Sequence, residues 1–343
     1  MKATIKDIAE RAGCSKASVS FAFNTPSRVS KTTYNKIMQA AKELGYVPNP
    51  VARILATKKN RTIGFMLTQP IEYAFDNPYV SEILKGIASV CNEENFMLSI
   101  LEPLKNDISA AIQQTFVGGI IVIGIIKNNT IHQHLKKRQM PYVTIDAEFQ
   151  NEYLNIGIDE ISTAEKLLDL FIKNGHKRIC ICTLSPIDEA SENCSYTMTY
   201  RLKGIMNSFE KHSALNNEKI ELSYYYPKTK PEEAIEEAKE ILSKPNRPTA
   251  IYCMSDSYAP AFYSAAAILN IKIPNDLSIA GFDNLPISKL LVPPMTVVNQ
   301  TGYQKGILAT QLLINSIEGK PCSSIHIDSQ IIERNSISNI NSN

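Results

Sequence analysis

Two groups of residues in this chain have side chains suited to chemistry. The first is Ser15, Lys16, Ala17, Ser18, Ser20 and Phe21, at the start of a short segment whose apolar positions recur with helical spacing. An ammonium donor, three hydroxyls and a methyl on the first turns of a helix match what a DNA major groove offers. Guanine presents O6 and N7 acceptors there, and thymine a methyl. The second group is Asp146, Asp256 and Asp283, each at the end of an apolar run, together with Arg201. Open α/β sheets bind ligands at the carboxyl ends of their strands. A carboxylate there accepts two hydroxyls and an arginine fork donates two hydrogen bonds, so the set suits a polar small molecule.

Other chemistries find no residues. The seven cysteines (Cys14, Cys91, Cys180, Cys182, Cys194, Cys253 and Cys322) have no CxxC spacing, and the five histidines have no metal-ligand spacing. Cys180 and Cys182 alternate along an apolar strand and should share one packed face. His176, after Gly175, reads as a histidine capping a helix C-terminus. There is no GxxxxGK, HExxH or GxSxG motif. The expectation is a non-enzyme with no metal and no cofactor.

The elements that must position these groups follow from caps and periodicity. Thr4 and Asp7 form a capping box, and Ile5, Ile8, Ala9 and Ala12 give the apolar face of a helix over 5–11. Gly13 turns the chain, and Ser15 caps a second helix over 16–23 whose Val19, Ala22 and Phe23 face the first. Ser30 opens a third helix with an inner stripe of Ile37, Ala40, Ala41 and Leu44, ended by Gly45. After Pro48 and Pro50, residues 51–56 predict about two turns of linker helix. From residue 62 short β-rich runs alternate with helical ones, as in parallel sheets flanked by helices. Strands are predicted over 63–67, 97–101, 119–123, 142–145, 179–183, 250–254 and 277–282, and helices over 80–93, 163–174, 200–212, 231–243 and 257–269. The polar tail over 335–343 should fray.

Of 343 residues, 44% are hydrophobic and 20% charged, which excludes wholesale disorder. No run reaches the roughly 18 apolar residues of a membrane span, and the start lacks a signal-peptide core, so a cytoplasmic protein is expected. The net charge of +2 conceals an asymmetry: residues 1–61 carry +9 and residues 62–343 carry −7. A basic head on an acidic body points to a polyanion partner for the head alone.

The strings TIKDIAERAG (4–13), SKASVS (15–20), RVS (28–30), ELGYVPN (43–49) and ARIL (52–55) together resemble the lactose/galactose repressor (LacI/GalR) family. The likeness continues through GHKRI (175–179), RLKG (201–204), PTAI (248–251), SIAGFDN (278–284) and PPMTVVNQ (293–300), in the family's order and over essentially the whole chain. The resemblance implies a helix-turn-helix domain over 1–48, a hinge helix and linker over 49–61, and a periplasmic-binding-protein-like effector and dimerisation domain over 62–343. Its N-lobe would comprise about 62–160 plus 292–322, and its C-lobe about 161–291 plus 323–339. It further implies a transcriptional regulator, most often a repressor, acting as a homodimer on a pseudo-palindromic double-stranded DNA operator, nucleoid-associated when bound, without a membrane partner. Thr4, Ser15, Lys16, Ala17, Ser18, Ser20, Phe21 and Arg28 would face DNA, with Lys2, Lys31 and Lys36 as further phosphate contacts. Leu55, flanked by Ala52 and Arg53, would wedge into the minor groove. The family usually carries Arg or His at the position of Phe21, so Phe21 either touches a base or packs. Asn77, Tyr79, Asp146, Thr197, Arg201, Asp256 and Asp283 would hold the effector. A sugar is the favoured class, with a nucleoside, a purine or a phosphorylated sugar as alternatives. Inducer and corepressor remain equally open. A solute-binding protein would share the body but not the basic head.

Overall fold

The computed structural model describes the chain except for residues 1–2, 58–59, 69–70, 105–106, 125–129, 151, 188–194, 217–218 and 341–343. Lys2 and Cys194 therefore lie outside the described residues. The chain divides into two units, Met1–Arg61 and Thr62–Asn343.

In the first unit local capping lays out the helices. Thr4 opens α1 (Ile5–Ala12): its backbone N–H donates to Asp7 Oδ2 at 2.8 Å, and the Asp7 N–H donates back to Thr4 Oγ1. Gly13, at φ +65°, supplies the left-handed residue that ends α1 without a Cβ clash. Ser15 and Ser30 then cap α2 (Lys16–Asn24) and α3 (Lys31–Glu43) through their hydroxyls. Ile8, Val19, Ala22, Ile37, Ala40 and Ala41 form the core between the three helices. Leu44, expected in that core, is exposed instead, because α3 ends at Glu43 and Leu44 is its C-cap. A fourth helix, α4 (Pro50–Thr57), begins at Asn49, whose Oδ1 accepts from the Val51 N–H at 2.9 Å.

The second unit holds two six-stranded sheets. In chain order its elements are β1 (Thr62–Leu67), α5 (Ile71–Asp76), α6 (Pro78–Glu93), β2 (Met97–Leu101), α7 (Ile108–Gln114), β3 (Gly119–Ile123), α8 (Ile131–Lys137), β4 (Tyr142–Ile145) and β5 (Leu154–Gly157). There follow α9 (Glu160–Lys173), β6 (Arg178–Cys182), α10 (Tyr196–Asn216), β7 (Glu221–Tyr225), α11 (Pro231–Leu242), β8 (Ala250–Cys253), α12 (Ala259–Ile268), β9 (Ser278–Asp283) and α13 (Pro286–Leu290). The chain closes with β10 (Thr296–Asn299), α14 (Gly302–Ile317), β11 (Ile325–His326) and β12 (Gln330–Ile332). The first sheet has the order β11-β5-β4-β3-β1-β2 and the second β12-β10-β9-β8-β6-β7. All the pairings are parallel except β10 with β12. Central strands such as β3 and β9 are buried along their whole length, as parallel strands covered on both faces must be. No described helix is long and apolar enough to cross a membrane.

The lobes exchange chain at different places from those expected. Residues 296–299 belong to the second sheet, because Thr296–Asn299 pairs with Ala280–Asp283 of β9, so the second crossing falls at 300–301 rather than 292. The third crossing falls after β11, which adds to the edge of β5, at 327–329 rather than 322. Cys180 and Cys182 do share one packed face, together with Cys253.

Two close helix contacts fix the geometry around the crossings. A Cβ on Gly306 of α14 would lie 2.1 Å from the Ile83 carbonyl oxygen of α6, and one on Gly204 of α10 would lie 2.2 Å from the Ile161 oxygen of α9. Only glycine allows these backbones to approach so closely. Lys305 immediately precedes Gly306, and Arg201 lies three residues before Gly204.

Candidate functional site

Strand register assembles the body's site. Leu67 of β1 is level with Ile123 of β3, and Ile123 with Ile145 of β4, so the residues that follow, Thr68, Gly124 and Asp146, emerge together at one edge. In the second sheet Asp283 closes β9 beside Asn299 of β10. Between these edges lies a cavity of about 580 Å³, large enough for a small-molecule ligand. Asn77, Tyr79, Asp146, Thr197, Arg201 and Asp283 all line it.

Asn77 caps α6, accepting from the Tyr79 N–H at 3.0 Å, so Tyr79 stands in the first helical turn. Asp256, expected in the cleft, faces away from it. Its Oδ2 accepts from the Leu285 N–H at 2.7 Å, its Oδ1 is buried without a hydrogen bond, and its neighbours Ser255 and Ser257 line the cavity instead. Asp256 is the first residue of the short helical turn, Asp256–Tyr258, that follows β8.

The polar groups of the cleft are held by one another. Arg201, 2% exposed, donates to Glu160 Oε2 at 2.8 Å and to the Met254 carbonyl, and its guanidinium lies 3.7 Å over the Phe282 ring. Burial works to lower its pKa, but the charge and hydrogen bond of Glu160 together with the charge of Asp283 more than offset it, and the guanidinium stays firmly charged. Asp283 accepts from the Ser255 hydroxyl at 2.7 Å, from the Asp256 N–H at 3.2 Å and from the Gln300 amide. Burial pushes its carboxyl up to about 6. The Asp256 carboxyl is also raised, by its own burial and then by the charge of Asp283. On the opposite side Asp146, at φ +56°, accepts from the Tyr79 hydroxyl at 2.5 Å and from Lys305 at 2.6 Å. Burial, reinforced by Asp146, drives the Tyr79 hydroxyl far above the ordinary phenol range, so it remains a donor.

Glu160, Gln300 and Lys305 were not anticipated. Gln300 ends the PPMTVVNQ string, and Lys305 is the single charged residue in α14, set between Gly302 and Gly306. A lone charged residue in an otherwise uncharged helix, flanked by glycines, was the available signal. His176 does not cap its helix with its side chain. The ring is buried, with Nδ1 at 3.1 Å from Thr249 Oγ1 and Nε2 at 3.2 Å from the Ser338 carbonyl, and burial lowers its pKa to about 4.

In the head, Lys16 and Ala17 are exposed on the first turn of α2, and Phe21, 37% exposed, stands about one turn further on. The Arg28 guanidinium sits 5.3 Å from the Phe21 ring centroid. Phe23 instead packs inward, 5.4 Å from the Tyr46 ring. The hydroxyls of Thr4, Ser15 and Ser18 are engaged in caps, and Ser20 accepts from the Asn24 amide. In α4, Ala52 and Arg53 are exposed and Leu55 is 74% exposed. Among the described residues no cluster of His, Cys, Asp or Glu is arranged for a metal ion.

Residues 4–49 match the family described as bacterial regulatory proteins, lacI family, and residues 168–337 match the periplasmic binding protein-like domain. The HTH-type transcriptional repressor CytR of Escherichia coli (strain K12) is 30% identical over 330 residues, covering 93% of this chain and 91% of that protein. The HTH-type transcriptional repressor PurR of Histophilus somni (strain 2336) is 28% identical over 345 residues, covering 98% and 99%. The fold is that of the lac repressor dimer bound to operator and the anti-inducer ONPF, with a TM-score of 0.81 at 21% identity over 98% of this chain and 100% of that one.

Proposed function

This chain belongs to the LacI family of bacterial regulatory proteins, as a DNA-binding transcriptional repressor with an effector-binding body, and we propose the following division of labour. Two copies act together in the cytoplasm, at the nucleoid when bound, on a pseudo-palindromic operator. Lys16 and Ala17 read base edges from α2. Phe21 makes apolar contact beside Arg28, while Thr4, Ser15, Ser18 and Ser20 hold the helices in register with the phosphates. Leu55, with Ala52 and Arg53 alongside, enters the minor groove as a wedge, which an apolar side chain held outward on a short helix supports. The twofold operator follows from this, because two wedges side by side open one base step.

The effector lies between the lobes, and the reading rests on the cavity that Tyr79 and Asp146 line from one lobe and Arg201 and Asp283 from the other. Their alternation of acceptor, donor and aromatic face supports a sugar. A ligand touching both lobes shifts the protein between states only through different affinity for each, and this sets whether it releases or tightens DNA.

Selection of operator sequences from a random duplex library, followed by affinity measurement with and without a panel of sugars and nucleosides, tests the reading. An inverted repeat whose binding weakens in Leu55→Ala, and whose affinity moves with one sugar, is the expected result. Affinity that follows salt alone, with no enriched sequence, overturns it.

A further inference from the structure

Beneath the floor of the cleft is an ion that the proposed function leaves unused. Lys305 is completely buried and does not itself line the cavity, yet all three of its hydrogen-bond partners do. Its ammonium donates to Asp146 Oδ1 at 2.6 Å, to the Tyr79 hydroxyl at 2.9 Å and to Gln300 Oε1 at 3.2 Å. These use its three protons. Tyr79 completes the circuit by donating to the other oxygen of Asp146, and Gln300 extends it by donating to Asp283. The side chain is held in place by the backbone. Gly306 lets α14 lie against α6, and a Cβ on Gly302 would lie 2.9 Å from the Tyr79 ring.

We propose that Lys305 is a specificity-determining positioning residue, a built-in cation that neutralises Asp146 and so commits this end of the cleft to uncharged hydroxyl-bearing effectors while excluding those that carry an ammonium group. The proposal rests on the reading of the cavity as the effector site. Without Lys305, Asp146 would be a buried carboxylate open to the cleft, and a buried carboxylate draws a cation strongly. With Lys305 in place, an amine approaching Asp146 meets a second positive charge a few ångströms away, in surroundings that screen charge poorly. A sugar hydroxyl meets no such barrier, because each carboxylate oxygen keeps a lone pair after accepting its one bond. Arg201 is neutralised in the same way by Glu160 on the other lobe.

The first test uses the full-length chain and small ammonium ions as probes. Ethylammonium chloride should raise the melting temperature of Lys305→Ala above its value in equal potassium chloride or ethanol. It should have no such effect on the wild type or on Lys305→Ala/Asp146→Asn. Absence of rescue in Lys305→Ala, or equal rescue in the double variant, overturns the proposal. Because Lys305→Ala can fail to fold, Asp146→Asn gives a second reading of opposite sign. It unmasks the ammonium and should favour D-glucuronate over D-glucose by roughly tenfold relative to the wild type, and an unchanged ratio overturns the proposal. If no sugar or sugar acid binds any form, the sugar reading fails while the ethylammonium result still decides the role of Lys305.

Discussion

The head and the body of this repressor use charge in opposite ways. Residues 1–61 carry a net +9, and cations such as Lys16 and Lys36 stand in solvent. The body is net negative, and two ion pairs are buried beside its cleft, Arg201 with Glu160 and Lys305 with Asp146. An exposed lysine meeting a polyanion acts through long-range attraction and counterion release, so each one is replaceable and their effects add. A buried pair is a local structure. Its members have given up hydration for each other, and removing one strands the other. The proposed division of labour therefore asks of the head only the right number of cations beside a few reading positions, whereas the body needs each ion at a defined atom.

This contrast can be broken or sharpened by substitution. The largest effect is expected from Arg201→Met, which leaves Glu160 buried without its partner. Destabilisation of about 3–5 kcal/mol in urea unfolding is expected, with most of it recovered in Arg201→Met/Glu160→Leu. A single variant as stable as the wild type would erase the contrast. His176 comes next, as a buried titratable group held neutral rather than paired. Its pKa is lowered to about 4 against 6.5, so as pH falls below 6.5 the unfolded chain takes up a proton that the native ring refuses. Stability contributed by the neutral ring is complete above pH 6.5 and is lost as pH falls toward 4, by about 3 kcal/mol. His176→Gln should flatten that part of the pH–stability curve. In the head, Lys16→Ala should weaken operator binding by about 1–3 kcal/mol and relax the choice of base at one position of each half-site. The smallest effect belongs to Lys36→Ala. It should weaken all sequences alike and reduce the slope of log affinity against log salt by about 1. A Lys36 variant that altered base preference would show the head's exposed cations to be less interchangeable than the contrast holds.

The parts legible in the sequence were those governed by short-range rules. The Thr4–Asp7 capping box, the Ser15 and Ser30 caps, and the strands over Met97–Leu101, Gly119–Ile123 and Tyr142–Ile145 follow from hydrogen bonding and periodicity within a few residues. So did the placing of Asp146 and Asp283 at strand ends, because the carboxyl edge of a parallel sheet is where apolar runs stop. Short or edge elements were missed. β7 (Glu221–Tyr225) is mostly solvent-facing, and β11 is two residues long, so neither carries a strong apolar pattern. The lobe crossings at 300–301 and 327–329 depended on which sheet edge a short strand joins, a choice made by pairing partners more than a hundred residues away for β11. Only the tertiary structure decided that Asp256 turns inward, that His176 is tied to Thr249 and the Ser338 carbonyl, and that Lys305 reaches Asp146. Local sequence fixes which groups a segment carries, but a buried charge is tolerable only beside a particular partner, and Lys305 and Asp146, 159 residues apart, meet only after the fold has formed.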